Sequence, residues 1–166
     1  RDSVKAIDAF PQFVRFPNTL EEVAALESIE ECWFARHLPA CFYYNKRSYG
    51  KAIALWQRCV EMSPEFADGW LGLAIHAWNK QHDYELAARY LDNAYQLAPQ
   101  DARLLFERDL LDKLSGVTPE KRLARLENNL EIALKRDDMT AELLNLWHLT
   151  GQADKAADIL ATRKFH

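Results

Sequence analysis

The sequence contains little glycine and little cysteine. Of its 166 residues only 5 are Gly and 3 are Cys, whereas 49% are hydrophobic and 28% are charged. Such a composition is typical of an ordered, helix-rich chain and excludes a disordered one. Cys32 and Cys41, if they share a helix, lie about 13 Å apart along its axis, which is too far for a disulfide. We therefore expect reduced, buried thiols in a cytoplasmic protein.

The sequence also lacks a block of basic residues and a long apolar run. The formal net charge is −4, so nucleic acid is not an expected partner. No apolar run approaches the roughly 18 residues of a membrane helix, and no charged-then-apolar leader opens the chain. We expect a cytoplasmic protein without a membrane partner, although a leader could have been removed from a longer precursor.

Motifs of catalysis and of metal binding are missing as well. There is no glycine-rich phosphate loop, no cysteine pair at zinc spacing and no His-Glu-x-x-His motif. His37 and Cys41 are four residues apart and would share a helix face, but they lack a third and a fourth metal ligand. The sequence therefore predicts no catalytic residue, no cofactor and no metal, and a protein that is not an enzyme.

What the sequence does contain is an internal repeat between Tyr43 and Pro99. The pairs matched at a spacing of 35 are Tyr49/Tyr84, Ala52/Ala87, Trp56/Leu91, Cys59/Ala94 and Pro64/Pro99, and those matched at 34 are Ala40/Ala74, Tyr43/Ala77, Tyr44/Trp78 and Asn45/Asn79. A period near 34 with small residues, aromatic residues and a closing proline is typical of the tetratricopeptide repeat (TPR), a pair of antiparallel helices. We expect the one extra residue to lie in the turn between the paired helices, since turns tolerate insertions.

The predicted fold is all-α. An extended segment over residues 1–18 precedes a TPR-like helical-hairpin solenoid over residues 19–166, with about 8–9 helices. The predicted repeats cover residues 29–64, 67–99, 101–136 and 139–165. Capping boxes at Thr19–Glu22 and Ser28–Glu31 are expected to open two helices, the second reaching Asn45. A leucine stripe predicts one continuous helix through residues 123–134.

Pro39 conflicts with a regular helix in the first repeat. Within a helix it removes one hydrogen bond and crowds the carbonyl of Ala35, at a cost of about 3 kcal/mol. Two alternatives follow: either the helix is kinked between Ala35 and Leu38, or a new helix begins with Pro39 in its first turn.

The order of several short motifs resembles a particular bacterial family. The motifs are Phe16-Pro17 with Leu20-Glu21-Glu22, then residues 52–56, 135–138 and 163–166. They resemble the TPR portion of large bacterial proteins with an N-terminal domain of unknown function, related to carbohydrate enzymes. The resemblance covers roughly residues 14–166, with Pro39 departing from the family's usual residue. It implies an accessory helical module within a longer chain and carries over no catalytic residue.

The TPR resemblance also predicts which residues line a concave groove, because the first helix of each repeat forms the inner surface. The predicted binding residues are His37, Tyr44, Asn45, Leu71, Ile75, Trp78, Asn79, Asn145 and His148, with Cys41 and Ala141 at equivalent positions. Two aromatic–amide pairs, one in each of the first two repeats, suit an extended peptide whose backbone bonds to the amides. Alternatively, the two rings pack on neighbouring helices.

Two functions remain open from the sequence. The first is a non-enzymatic interaction scaffold that binds a peptide or docks a partner domain, which could belong to its own longer chain. The alternative is an accessory or oligomerisation module of a larger bacterial carbohydrate-active enzyme. His37 and Cys41 occupy the positions of the Lys/Asn set with which some TPRs hold a terminal carboxylate, which disfavours a receptor for chaperone tails.

Overall fold

The computed structural model of the chain describes residues 16–29 and 32–162, and it confirms the all-α fold. Of the described residues 77% are helical, and none of them lies in a strand. Ten helices occur in this part of the chain, more than the sequence predicted. They are α1 Leu20–Glu27, α2 Phe34–Asn45, α3 Tyr49–Met62, α4 Ala67–His76, α5 Tyr84–Leu97, α6 Ala102–Leu114, α7 Pro119–Glu127, α8 Leu130–Ala133, α9 Asp137–Leu149 and α10 Ala153–Thr162.

The chain divides into two compact units, the first ending at Asp83 and the second beginning at Tyr84. Helices α1–α4 belong to the first unit and α5–α10 to the second. The division falls within the second predicted repeat. Most of the predicted extended segment lies outside the described residues, and its last three residues, 16–18, are not helical.

The helix α1 begins at its predicted capping box, whereas α2 begins later in the chain than predicted. The capping box at α1 is formed, since the Glu22 amide donates to the Thr19 hydroxyl at 3.2 Å and the Thr19 amide donates to the Glu22 carboxylate at 3.3 Å. The helix predicted to open at Ser28 instead begins at Phe34. Pro39 is the sixth residue of this helix and its ring is buried. The alternative in which Pro39 starts a new helix is therefore wrong.

Four residues with positive φ recur at a near-constant spacing between helices. They are Arg47 (φ 62°), His82 (φ 55°), Gly116 (φ 77°) and Gly151 (φ 76°). When the residue after a helix adopts the left-handed backbone conformation, the N–H of the following residue can donate a hydrogen bond to a carbonyl in the last turn of the helix. Such bonds run from Ser48 to Tyr43 at 2.9 Å, from Val117 to Asp112 at 2.9 Å and from Gln152 to Trp147 at 2.7 Å. The same helix ending therefore recurs at the repeat period.

The turn at His82 differs from the other three by one residue. Here the amide of Asp83 bonds to the carbonyl of Ala77, at 3.0 Å, across six positions rather than five. The extra residue is accommodated by a π-helical turn, Ala77–Gln81, that extends α4. The insertion thus lies at the end of the helix, and the prediction that placed it in the connecting turn is wrong. Single π turns within helices are frequent at functional sites.

The first unit is held together by close packing between α3 and α4. Ala52 of α3 and Ala74 of α4 are 0% and 1% exposed, and Trp56 is 4% exposed. Gly72 lies against the Trp56 indole so closely that a Cβ atom there would be 2.4 Å from its Cε2 atom. A residue without a side chain is therefore needed at position 72 for the two helices to approach as they do.

The second unit combines an apolar core with a buried ionic cluster. Leu105, Leu126 and Leu143, all 0% exposed, belong to the core. Beside it, Arg122 of α7 donates to Asp109 of α6 at 3.1 and 2.6 Å and to Glu142 of α9 at 2.6 Å. The cluster continues through Asp112, which accepts hydrogen bonds from Arg108 and Arg125. Charged side chains from three helices thus satisfy one another inside this unit.

The predicted continuous helix over residues 123–134 is wrong, because it is broken between α7 and α8. The Asn129 side-chain amide donates to the carbonyl of Arg125 at 2.9 Å, and its oxygen accepts from the Tyr95 hydroxyl at 2.8 Å. Asparagine competes with the backbone in this way and favours helix ends. Leu130 consequently lies on the surface, while Ile132 is buried in its place.

Candidate functional site

The first unit contains a cavity that brings several of the predicted binding residues together. Its volume is about 320 Å³. It is lined by Phe16, Cys41, Tyr44, Asn45, Trp56 and Ile75. Tyr44, Asn45 and Ile75 were predicted as binding residues, and Cys41 was placed beside them. Helices α2, α3 and α4 supply all of these residues except Phe16, which precedes α1.

Tyr44 belongs to an aromatic cluster as well as to the cavity wall. Its ring centroid lies 5.1 Å from that of Tyr49, 5.3 Å from that of Trp56 and 6.3 Å from that of His76. The Lys80 ammonium lies 4.8 Å from the centre of the Tyr49 ring, within the range of a cation–π contact. The Tyr44 ring therefore packs on neighbouring helices, as one alternative predicted, and it also lines the cavity. That it contacts a peptide stays a prediction.

Three buried polar atoms around this cluster have no hydrogen bond of normal geometry with other described residues. They are the Tyr44 hydroxyl, the Trp56 indole nitrogen and the His76 Nδ1 atom. Most buried polar groups in proteins are paired, so each exception calls for an explanation. The first two still have a polar neighbour, since hydrogen bonding from Asn79 opposes the effect of burial on the pKa of Tyr44, and hydrogen bonding from Trp56 does so for that of Cys41. Tyr44 and Trp56 also line the cavity, but these polar atoms have almost no accessible surface, so it is their rings that face an occupant.

The electrostatic surroundings of the site keep its titratable groups neutral. Burial, and secondarily the Asp68 carboxylate, raise the pKa of the Cys41 thiol to about 11. Burial and the Lys80 charge lower the pKa of His76. Burial also raises the pKa of Tyr44, against the opposing influence of Asn79 and Lys80. At neutral pH the cavity therefore presents a thiol and a phenol, and a thiolate nucleophile is not formed.

His37 and Cys41 interact with each other rather than standing apart as separate binding residues. The Cys41 sulfur lies 3.5 Å from the His37 Nε2 atom, within hydrogen-bond range for sulfur. The His37 ring packs edge-on against Phe66, with 5.0 Å between the centroids. Phe66 in turn lies 4.1 Å from the ring of Trp33. His37 is thus half-buried at the edge of a second aromatic group.

The remaining predicted residues of the first unit differ in their exposure. Leu71 is only 6% exposed, which leaves little of its surface for a ligand. Trp78 is half-buried and Asn79 is exposed, and both lie on the π-helical turn after α4. The wider turn thus carries the second aromatic–amide pair, whereas the first pair lies at the end of a regular helix.

The predicted residues of the second unit form a group of their own. Ala141, Asn145 and His148 are exposed residues of α9. Their spacings of four and three residues place them on one face of that helix. Asn145 and His148 are polar and lie towards the carboxyl-terminal end of the helix, where the helix dipole favours hydrogen-bond donors. This face belongs to the second unit, whereas the residues lining the cavity described above all belong to the first.

The described residues also bear on metal binding and on membrane insertion. No group of three or more His, Cys, Asp or Glu side chains in residues 16–29 and 32–162 is arranged to hold a metal ion. None of the helices in the same ranges is both long enough and apolar enough to span a membrane.

Comparison with solved structures identifies the fold. MamA matches 81% of this chain and 78% of its own, with 15% identity and a TM-score of 0.64. TTC0263, a thermophilic TPR protein of Thermus thermophilus, matches 80% of this chain and 73% of its own, with 20% identity and a TM-score of 0.59. YrrB, a TPR protein with an unusual peptide-binding site, matches 97% of this chain and 90% of its own, with 19% identity and a TM-score of 0.59.

The chain has a TPR-like fold. No model of a known protein family matches its sequence. At these identities the likeness concerns the fold alone, and the predicted relationship to large bacterial proteins with a carbohydrate-enzyme domain stays a prediction.

Sequence reasoning missed two residues of the TPR-like site. Trp56, matched with Leu91 in the repeat, is not among the predicted binding residues, yet it lines the cavity. The sequence predicts that Phe16 belongs to an extended apolar segment lying against the first helices, but it does not predict that Phe16 lines a cavity with Tyr44 and Ile75. The one available signal was its position before Pro17, which favours an extended backbone that can lie across helices.

Proposed function

We propose that this protein is a non-enzymatic interaction scaffold whose first unit binds an extended peptide segment. The cavity lined by Cys41, Tyr44, Asn45, Trp56 and Ile75 carries this proposal. Its wall combines the apolar surface of Trp56 and Ile75 with the exposed amide of Asn45. Sites that bind ligands share this combination of apolar lining and a few polar groups.

The chemistry of the cavity favours a peptide over a charged small molecule. A peptide backbone offers an N–H donor and a C=O acceptor at each residue, which the Asn45 amide can pair with simultaneously. Neutral Cys41 and Tyr44 provide no charge for a phosphate or a carboxylate. The similarity of the fold to YrrB, which is described as having a peptide-binding site, is consistent with this class of ligand.

Peptides selected from a random phage-displayed library on the purified chain would test the proposal. We expect Asn45→Ala to weaken the binding of selected peptides by about tenfold, which corresponds to roughly 1.4 kcal/mol, near the value of one hydrogen bond. Asn93→Ala is a matched control, because Asn93 is an exposed amide on α5 in the other unit. It should leave the affinity unchanged.

Calorimetry on the selected peptides would supply these affinities, with Ile75→Ala as a second variant at the apolar wall. The proposal would be contradicted if the library yields no enriched peptide. It would also be contradicted if enriched peptides bind equally well to native protein and to the Asn45 and Ile75 variants.

A further inference from the structure

Two lysines lie beside the cavity of the first unit. Lys46 lines a neighbouring cavity of about 220 Å³, which shares Asn45 with the larger one. The Lys80 ammonium lies 4.8 Å from the centre of the Tyr49 ring, and that ring is 5.1 Å from the ring of Tyr44 in the cavity wall. Positive charge therefore reaches the rim of the cavity at two places, beside Asn45 and beside Tyr44.

Neither lysine is neutralised by a carboxylate within the described part of the chain. Both residues are exposed, and neither forms an ion pair with a described Asp or Glu residue. Each ammonium instead lies over an aromatic ring, since Lys46 is 5.6 Å from the centre of the Phe42 ring and Lys80 has the contact with Tyr49. A cation–π contact restrains the position of a cation without removing its charge. The two ammonium groups are therefore held beside the cavity and remain available to carboxylates.

From this geometry we infer that the peptide bound by the first unit is acidic, with an apolar side chain in the cavity and Asp or Glu side chains paired with Lys46 and Lys80. The inference rests on the proposed function, because it names the class of peptide for the same site. An apolar cavity of about 150 Å³ holds one benzene molecule, so the volume of about 320 Å³ accommodates a large apolar side chain. Trp56 and Ile75 supply the apolar wall for it.

Side-chain carboxylates match this arrangement better than the alternatives that share its charge. The two lysines lie beside different residues of the wall, which suits several carboxylates along a peptide better than a single terminal one. Nucleic acid would also match the positive charge. However, the formal net charge of the chain is −4, and the larger cavity is lined by neutral groups such as Cys41 and Ile75. Charges at a rim contribute more to the choice of partner than to affinity.

The sequences of the phage-selected peptides give the first test. We expect Asp and Glu to be at least about twofold more frequent near an apolar residue than in the unselected library. Selected peptides without such an excess, whose binding still depends on Asn45, would overturn the acidic class and leave the peptide site intact. A library that yields no enriched peptide would contradict the proposed function and the inference together.

Substitution of the lysines gives the second test. The probes are fluorescein-labelled, carboxy-amidated copies of the selected acidic peptides, and their binding to the full chain is measured by fluorescence anisotropy. Lys46→Gln and Lys80→Gln should each weaken binding about two- to fivefold, the effect expected of an exposed ion pair. Lys51→Gln is the matched control, because Lys51 lies 4.9 Å from the centre of the Tyr43 ring but lines neither cavity. It should leave the affinity unchanged.

Equal effects of all three substitutions, or no effect of any, would overturn the inference. So would loss of binding on amidation of the peptides, which would assign the contact to a terminal carboxylate. A labelled thymidine oligonucleotide that binds as tightly as the acidic peptides would overturn it in favour of nucleic acid.

Charge reversal shows whether the contact is direct. Lys80→Glu should weaken binding of an acidic probe more than Lys80→Gln does, because repulsion replaces attraction. Among probes in which one acidic residue at a time is replaced by Lys, we expect one to bind Lys80→Glu more tightly than it binds the native chain. If every such probe prefers the native chain, Lys80 does not pair with the peptide and the inference is wrong.

Discussion

A single methyl group added at Gly72 should separate α3 from α4. A Cβ atom at this position would lie 2.4 Å from Cε2, 2.5 Å from Cδ2 and 2.8 Å from Nε1 of the Trp56 indole. Carbon atoms in contact prefer about 3.5–4.0 Å, so the ring or the helix must move by more than about 1 Å. Trp56 is 4% exposed, so its ring can move only by giving up contacts with its neighbours, such as the Tyr44 ring at 5.3 Å.

The magnitude follows from two opposing contributions. Overpacking of a buried site costs about 1–3 kcal/mol, and the size of the required shift places Gly72→Ala near the upper end. Replacing glycine within a helix contributes about 0.5–1 kcal/mol in the opposite direction. We therefore expect a net loss of about 2 kcal/mol. With a urea dependence of about 2 kcal/mol per molar, the unfolding midpoint should fall by about 1 M.

Two further variants complete the urea experiment. Gly50→Ala is the matched control, since Gly50 is also helical but a Cβ atom there would have no neighbour within 4 Å. It should raise the midpoint slightly. In a Trp56→Leu background, Gly72→Ala should cost at least about 1 kcal/mol less, because the interacting ring is gone. An unchanged cost in that background, or a Gly72→Ala protein as stable as Gly50→Ala, would refute the reasoning.

Three other predictions concern stability, and all are measured by equilibrium unfolding. Pro39→Ala should raise the free energy of unfolding by about 1 kcal/mol, because a helical hydrogen bond worth up to about 3 kcal/mol is regained while buried methylenes are lost; a decrease would contradict this. Arg122→Met should lower the free energy of unfolding by about 3–5 kcal/mol, because it leaves the buried Asp109 carboxylate unpaired. The control Arg58→Met removes an exposed ion pair and should change the free energy of unfolding by less than about 0.5 kcal/mol. The pKa of His76 is lowered in the folded protein. Neutral His76 therefore contributes fully to folding stability above the unfolded pKa of about 6.5, and this contribution is lost as the pH falls from there through the folded pKa. His76→Phe should remove that part of the pH dependence, and an identical slope in both proteins would contradict the assignment.

The sequence alone determined the repeat and its helical hairpins. Both features follow from signals within a short stretch of sequence. Small residues at fixed spacing allow helices to approach, and a closing proline ends the second helix of a repeat. Ala52 and Ala87, matched in sequence, are both 0% exposed. The amide of Asn129, in contrast, broke a helix that the leucine spacing predicted as continuous, because a side-chain bond to the backbone leaves no trace in hydrophobic periodicity.

The tertiary structure alone decided which residues meet across helices. The approach of Gly72 to Trp56 and the pairing of Arg122 with Asp109 join residues far apart in the chain, and no local pattern encodes such pairs. The cavity arises in the same way, because Phe16 reaches α2 and α4 from a stretch without helical periodicity. Periodicity reports which face of a helix is buried, whereas the partner on that face depends on the path of the whole chain.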